Sequence, residues 1–205
     1  MARDRSPIVK QSRREGYALH PKAHKIMVKR TTIPGEHGNG RQSKPSGYAL
    51  QLREKQKVRR LYGLLEKQFS NLMKEANRSA GQSGQVLLQL LERRLDNAVY
   101  RAGFATSRRG ARQLVGHGHF MLNGTRVDIP SIRVKAGDEL VVRPKSVTNE
   151  YFKELADVKS ASNQVPLSWV TSDVKKMTIN ITGVPSREEA EPDINEQLIV
   201  EFYSR

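Results

Sequence analysis

The sequence predicts an α+β protein: a basic N-terminal arm, then a helical domain, then a module built from helix and a small antiparallel sheet. Three observations carry that prediction. Apolar residues recur every three and four positions from Val58 to Met73 and again from Leu87 to Ala102, the period of helices with one buried face. Two turn dipeptides, Asn123-Gly124 and Gly137-Asp138, are each flanked by short apolar stretches, as tight antiparallel turns are. Residues 1–47 mix basic residues with Pro, Gly and Ser and show no sustained period.

Taken in order, residues 1–45 read as an extended arm with little core of its own. Pro34-Gly35 and Gly38 to Gly40 imply turns where the backbone can approach a partner closely. After Pro45, Ser46 suits the cap of one long helix, with Val58, Leu61, Tyr62, Leu65, Phe69, Leu72 and Met73 on its buried face. Arg53, Lys55, Lys57, Arg59 and Arg60 crowd its first half on several faces, so some meet a partner and others only water. A linker rich in Ser and Gly follows from Asn77 to Gly84. A second helix is expected from Gln85 to Ala102, with Gly103 ending it.

Ser107 can cap a short helix by accepting from the backbone N–H near Gly110, and Gly116 or Gly118 can stop it. At about 100° per residue, Ala111, Leu114 and Val115 share one arc while Arg108, Arg109 and Arg112 occupy the next. One side buries and the other is cationic. Phe120–Leu122 and Thr125–Val127 then form a hairpin through Asn123-Gly124, which tolerates the positive φ angles of a type I′ turn. Ile132–Val134 and Leu140–Val142 are expected to pair through Gly137-Asp138. Further on, 148–158 reads as a short helix with Tyr151, Phe152 and Leu155 inward. Thr178–Thr182 has strand character, and Trp169 belongs to the core. Asp193–Ser204 is the terminal helix, with Asp193 and Glu196 at capping-box spacing and Ile194, Leu198 and Phe202 on one face.

Charge narrows the function. The formal net charge is +15, and such an excess repels itself in a compact state, which points to a polyanionic partner. Residues 1–60 hold 16 Lys and Arg against 4 Asp and Glu, or +12; residues 121–205 hold 11 against 13, or −2. The cationic surface is therefore front-loaded. No apolar run approaches the ~20 residues that cross a bilayer, and the start lacks the apolar core of a signal peptide. Nor is the arm a basic amphipathic helix with aromatic residues opposite. Nucleic acid is favoured over lipid, and no membrane is expected.

Cysteine is absent, which removes disulfides, thiolate metal sites and cysteine nucleophiles together. His20 and His24 have helical ligand spacing, but Pro21 and the lack of an acidic pair argue against a metal. No metal or cofactor is expected. The arginines at 108, 109 and 112 sit beside His117, His119, Asn123 and Arg126, which offer planar donors and amides to phosphates and bases.

From Glu92 to Arg143 the chain resembles the S-four RNA-binding domain. The match rests on Arg94-Leu95-Asp96, Ser107-Arg108, Ala111-Arg112-Gln113-Leu114, His117-Gly118-His119, Asn123-Gly124, Pro130-Ser131 and Gly137-Asp138. Outside it, Arg13-Arg14-Glu15-Gly16, Pro34-Gly35-Glu36-His37-Gly38, Leu50 to Gly63 and the closing INEQLIVEFYSR are similar to the bacterial small-subunit ribosomal protein four family. Many relatives hold zinc with N-terminal cysteines; this cysteine-free chain departs from that pattern.

The resemblance implies a helical domain at 46–91 that the C-terminal stretch 186–205 returns to complete, with the RNA-binding domain and its following helix and strands at 92–185. It adds Arg13, Arg14, His37, Arg94, Ser107 and Gln113 to the RNA-binding candidates. It also implies a cytoplasmic, non-enzymatic constituent of the small ribosomal subunit that binds the five-prime domain of 16S-type rRNA early in assembly. Its neighbours would be ribosomal proteins three and five and the path by which mRNA enters. The acidic stretch bearing Glu188, Glu189, Glu191 and Asp193 should point away from phosphates; the resemblance makes it the contact with ribosomal protein five, through which it affects accuracy. Pseudouridine synthases and tyrosyl-tRNA synthetases carry the same module beside a catalytic domain, but only about 60 residues follow it here.

Overall fold

The computed structural model describes residues 4–40, 43–155 and 167–204. The chain divides into two compact units, Met1–Leu88 with Glu191–Arg205, and Gln89–Ala190.

The first unit is helical. Ile8–Glu15 (α1) and Pro21–Lys29 (α2) lie against each other, and α1 also meets Gly47–Leu61 (α3). The extended reading of the arm is thus corrected: it folds into two short helices and a 3₁₀ turn at Glu36–Asn39. The reason is local. Pro21 takes the first helical position, where its missing N–H costs nothing, and His20 caps α2 by accepting from Lys22 N at 3.0 Å. His20 therefore stands outside the helix that carries His24. Leu19 and Ala23 are buried, so the arm contributes core as well as charge.

The long helix expected after Ser46 is two helices, α3 and Glu66–Arg78 (α4). Ser46 does cap, accepting from Ala49 N at 3.3 Å. The break lies at Gly63, whose φ of 62° is left-handed. Leu64 N donates to Arg59 O and Gly63 N to Arg60 O, the paired bonds of a Schellman stop. Apolar periodicity continues across this stop because both helices keep a buried face: Val58, Leu61, Tyr62, Leu64, Phe69 and Met73 are all buried. Glu196–Tyr203 (α10, numbered last in the chain) packs on α3, closing the domain. It starts later than expected: Asn195, not Asp193, is its cap and accepts from Gln197 N at 3.1 Å.

The second unit contains the expected helix and sheet. Ser83–Glu92 (α5), which begins in the first unit and ends in the second, and Leu95–Arg101 (α6) replace the single helix expected from Gln85. Arg94 is extended, with φ −68° and ψ 140°. The same residues correct a second expectation, because Ile132–Val134 is not a strand of the sheet. Val134 N donates to Arg93 O, Leu95 N to Ile132 O and Asp96 N to Pro130 O, so this stretch satisfies the interrupted helix rather than a neighbouring strand.

Arg108–Gly116 (α7) packs on α6. The sheet runs Phe120–Leu122 (β1), Thr125–Val127 (β2), Glu139–Val142 (β3), Val170–Asp173 (β4) and Thr178–Ile181 (β5), in the order β2-β1-β3-β5-β4, all antiparallel. The β1–β2 hairpin is as expected, with Asn123 at φ 48° and Gly124 at φ 81°. Pro144–Val147 (α8) and Glu150–Lys153 (α9) follow β3; residues 156–158 of the expected helix lie outside the described residues. Phe152, Leu155 and Trp169 join Phe104, Phe120, Val115 and Leu140 in one core, while Tyr151 is partly exposed and donates its hydroxyl to Phe104 O.

Candidate nucleic-acid interface

Helix α7 places the central candidates. Ser107 is its cap, accepting from Gly110 N at 3.1 Å, and is itself buried. Ala111 and Val115 enter the core, as their shared arc requires. The neighbouring arginines are not loose surface cations. Arg108 donates its Nε to Asn97 Oδ1 at 2.9 Å and lies over the Tyr100 ring, 4.7 Å from its centroid. Arg112 donates to Asp96 Oδ2 at 2.6 Å and keeps 18% of its side chain exposed.

Two buried acids anchor this arrangement. Glu92 accepts two bonds from Arg101, at 2.9 and 2.8 Å, and one from Asn97 Nδ2 at 2.7 Å. Asp96 accepts two from Arg94, at 3.1 and 3.0 Å, beside its bond from Arg112. Sequence reasoning missed Glu92, Asp96 and Asn97 because their role is set by the break at Arg94, which apolar periodicity does not reveal. Arg94 is 7% exposed and committed to Asp96, so its charge supports the site from within.

At the end of α7, Gly118 at φ 70° turns the chain into β1. A Cβ there would lie 2.7 Å from Arg126 Nε, so the glycine lets the Arg126 guanidinium cross the turn. Arg143, not anticipated from sequence, donates to Gly118 O at 3.1 Å. His119 Nδ1 is 2.9 Å from Ser146 Oγ. Burial, then the neighbouring His117 and Arg143 charges, push the His119 pKa down from its ordinary value, so its ring is neutral at neutral pH. Arg109 is half-buried; Gln113, His117 and Arg126 are exposed. Asn123 is structural as well as exposed: its amide donates to Asp138 Oδ1 and its carbonyl accepts from Glu139 N, each at 2.9 Å.

In the helical unit the candidates separate by environment. Arg14 and His37 are exposed; Arg13 donates to Thr32 O at 3.1 Å. Arg53 and Arg60 both bind Glu15, whose side chain is fully covered. Burial raises the Glu15 pKa, with the surrounding arginines opposing it. Lys57 bonds Glu54 at 2.8 Å and Asp193 O at 2.7 Å, and Arg59 bonds Gln56 at 2.9 Å. Lys55 does not fit a phosphate contact. It is 4% exposed, pairs with Glu66 at 2.8 Å and sits 4.5 Å from the Phe202 ring centroid.

Of the acidic candidates, Glu188 and Asp193 are exposed. Glu189 accepts from Ser168 N at 2.6 Å and from Ser186 N at 3.1 Å, and Glu191 accepts from Tyr17 OH at 3.1 Å. Among the described residues no three His, Cys, Asp or Glu side chains form a metal-holding group, and no helix is long and apolar enough to cross a membrane.

Comparison with known families agrees with this architecture. Residues 3–92 match the family described as ribosomal protein S4/S9 N-terminal domain, and residues 93–140 match the S4 domain. Together these define a protein of the ribosomal S4 class, a helical N-terminal domain followed by an S4 module. Full-length relatives carry the match to the ends of the chain. The small ribosomal subunit protein uS4 of Clostridioides difficile (strain 630) is 50% identical over 211 residues, and that of Roseiflexus sp. (strain RS-1) 48% over 206, each alignment covering all of both chains. The chain belongs to the small ribosomal subunit protein uS4 family.

Proposed function

We propose that this protein is a structural constituent of the small ribosomal subunit, that it binds small-subunit rRNA, and that it performs no catalysis. The observation that carries the reading is the cationic face of α7, with Arg108 and Arg112 braced by Asn97, Tyr100 and Asp96 and flanked by Gln113, His117 and Arg126. Ordered guanidinium groups next to a tight hairpin meet phosphates in a fixed register, while exposed amide and imidazole groups reach unpaired bases. The relatives' name as small ribosomal subunit proteins supplies the RNA class. The N-terminal unit adds Arg13, Arg14, His37, Arg53, Lys57, Arg59 and Arg60 as further backbone contacts; Lys55 and Arg94 are left out because their charges are used inside the fold.

The finer reading is that binding falls on the five-prime domain of 16S-type rRNA early in assembly. The acidic stretch at Glu188 and Asp193 then meets a neighbouring protein, ribosomal protein five, with protein three and incoming mRNA close by, and so bears on accuracy. Footprinting on a five-prime-domain transcript tests the first part. The expected result is protection confined to that domain that fades as salt rises, because released counterions drive phosphate contacts. Equal affinity for an unrelated structured RNA at every salt concentration would remove the specific reading.

A further inference from the structure

We infer that Asp96 is a positioning residue for RNA binding: a buried acid whose negative charge, lying beneath a cationic face, strengthens attachment to a polyanion by ordering Arg112. The inference rests on the reading that the α7 face meets rRNA. Simple Coulomb reasoning gives the opposite sign, since a carboxylate near phosphates repels them and its removal should tighten binding.

Geometry favours ordering over repulsion. Asp96 is 3% exposed, and its carboxylate is enclosed by two guanidinium groups. Arg94 takes both oxygens in a fork, from Nε at 3.1 Å and Nη2 at 3.0 Å. Arg112 takes Oδ2 from the other side through Nε at 2.6 Å. The group is thus one buried anion between two cations, net positive, and the cation at its outer end is Arg112. A free arginine loses much rotamer freedom when it grips a phosphate; one held by a carboxylate has already lost it. The same construction recurs one turn away: Glu92, fully buried, fixes Asn97 at 2.7 Å, and Asn97 fixes Arg108 at 2.9 Å. Asp96 also stands in the first turn of α6, where the helix dipole favours an acid. That role alone predicts lower stability with unchanged affinity per folded molecule.

The test uses full-length protein and a labelled five-prime-domain transcript of small-subunit rRNA, with active concentration set by stoichiometric titration and folding checked by thermal melting. Asp96→Asn is expected to bind about fivefold to tenfold more weakly at fixed salt, the scale of one ordered charge-assisted hydrogen bond. Its salt slope should equal that of wild type, because Arg112 keeps its charge; Arg112→Gln should lose roughly one unit of slope. In the double variant, Asp96→Asn should add nothing to Arg112→Gln. Glu154→Gln, an exposed acid of the same unit, should bind as wild type or slightly tighter. Equal or tighter binding by Asp96→Asn, multiplied losses in the double variant, or a neutral Arg112→Gln would each overturn the inference. Should Asp96→Asn fail to fold, Arg112→Lys, which keeps the charge but lacks the Nε that Asp96 holds, is expected to weaken binding at an unchanged salt slope, and binding equal to wild type would overturn the inference. Wild-type protein that shows no preference for the transcript would instead sink the functional reading beneath it.

Discussion

Among the five cations at positions 53, 55, 57, 59 and 60 of α3, Lys55 is the buried one, and burial decides its role. Its ammonium lies between Glu66, at 2.8 Å, and the Phe202 ring, so it ties α3 to α4 and to α10. Lys55→Met is therefore expected to cost about 1 to 2 kcal/mol of unfolding free energy, from one charged bond and a cation–π contact, while rRNA affinity per folded molecule stays unchanged. Urea titration and a binding isotherm read the two quantities separately; a loss of affinity at unchanged stability would return Lys55 to the interface. Glu66 supplies a pH signature of the same contact. Burial would raise its carboxyl, but hydrogen bonds from Lys55 and Tyr203 with the Lys55 and Arg59 charges outweigh this and hold its pKa below 4.5. A depressed carboxyl stabilises the fold above its unfolded value and loses that contribution as pH falls through the folded one. The stability gap between wild type and Glu66→Gln should thus be constant from about pH 7 to 5 and shrink below pH 4.5. A gap that widened in acid would contradict the assignment.

At the scale of elements, what the sequence revealed was what local chemistry controls. Ser46 and Ser107 are caps, Asn123-Gly124 is the hairpin turn, and Gly118 ends α7, because each outcome follows from one or two residues and their own backbone angles. The two helix breaks were hidden for a shared reason. Leu61, Tyr62 and Leu64 are buried on both sides of the Gly63 stop, and Leu91 and Leu95 on both sides of Arg94, so the apolar period runs on while the helix does not. The α5–α6 break depends on backbone bonds from residues 130–134, some forty positions later, which no local pattern encodes. The cationic face was legible as a face, but its buried acids were not. Gly63→Ala tests the first break. A Cβ at φ 62° is strained, so a loss of about 1 to 2 kcal/mol is expected, with helical content preserved. A neutral or stabilising change, read by thermal melting and circular dichroism, would mean that the stop does not depend on the left-handed turn.

Over the whole molecule, charge is sorted along the chain: +12 in residues 1–60 and −2 in residues 121–205, with six of the thirteen late acids between Glu188 and Glu201. The structure divides those acids further. Glu189 and Glu191 accept hydrogen bonds from Ser168, Ser186 and Tyr17, and reversing them would disturb the fold as well as the surface. Glu188 and Asp193 are exposed, and Asp193 accepts from Lys57 through its backbone carbonyl, which substitution leaves in place. They are therefore the cleaner probe of a protein contact. Glu188→Lys with Asp193→Lys raises the net charge by four, through two new cations and two lost anions, so a surface lying against rRNA would bind markedly tighter and show a steeper salt slope. A surface turned toward a protein neighbour should leave rRNA affinity within about twofold, since exposed charges far from phosphates are screened. The same reversal would then weaken the proposed contact and raise stop-codon readthrough in cells carrying the variant as their sole copy. Readthrough equal to wild type, with normal subunit assembly, would leave these carboxylates as solvated charges at the approach to α10.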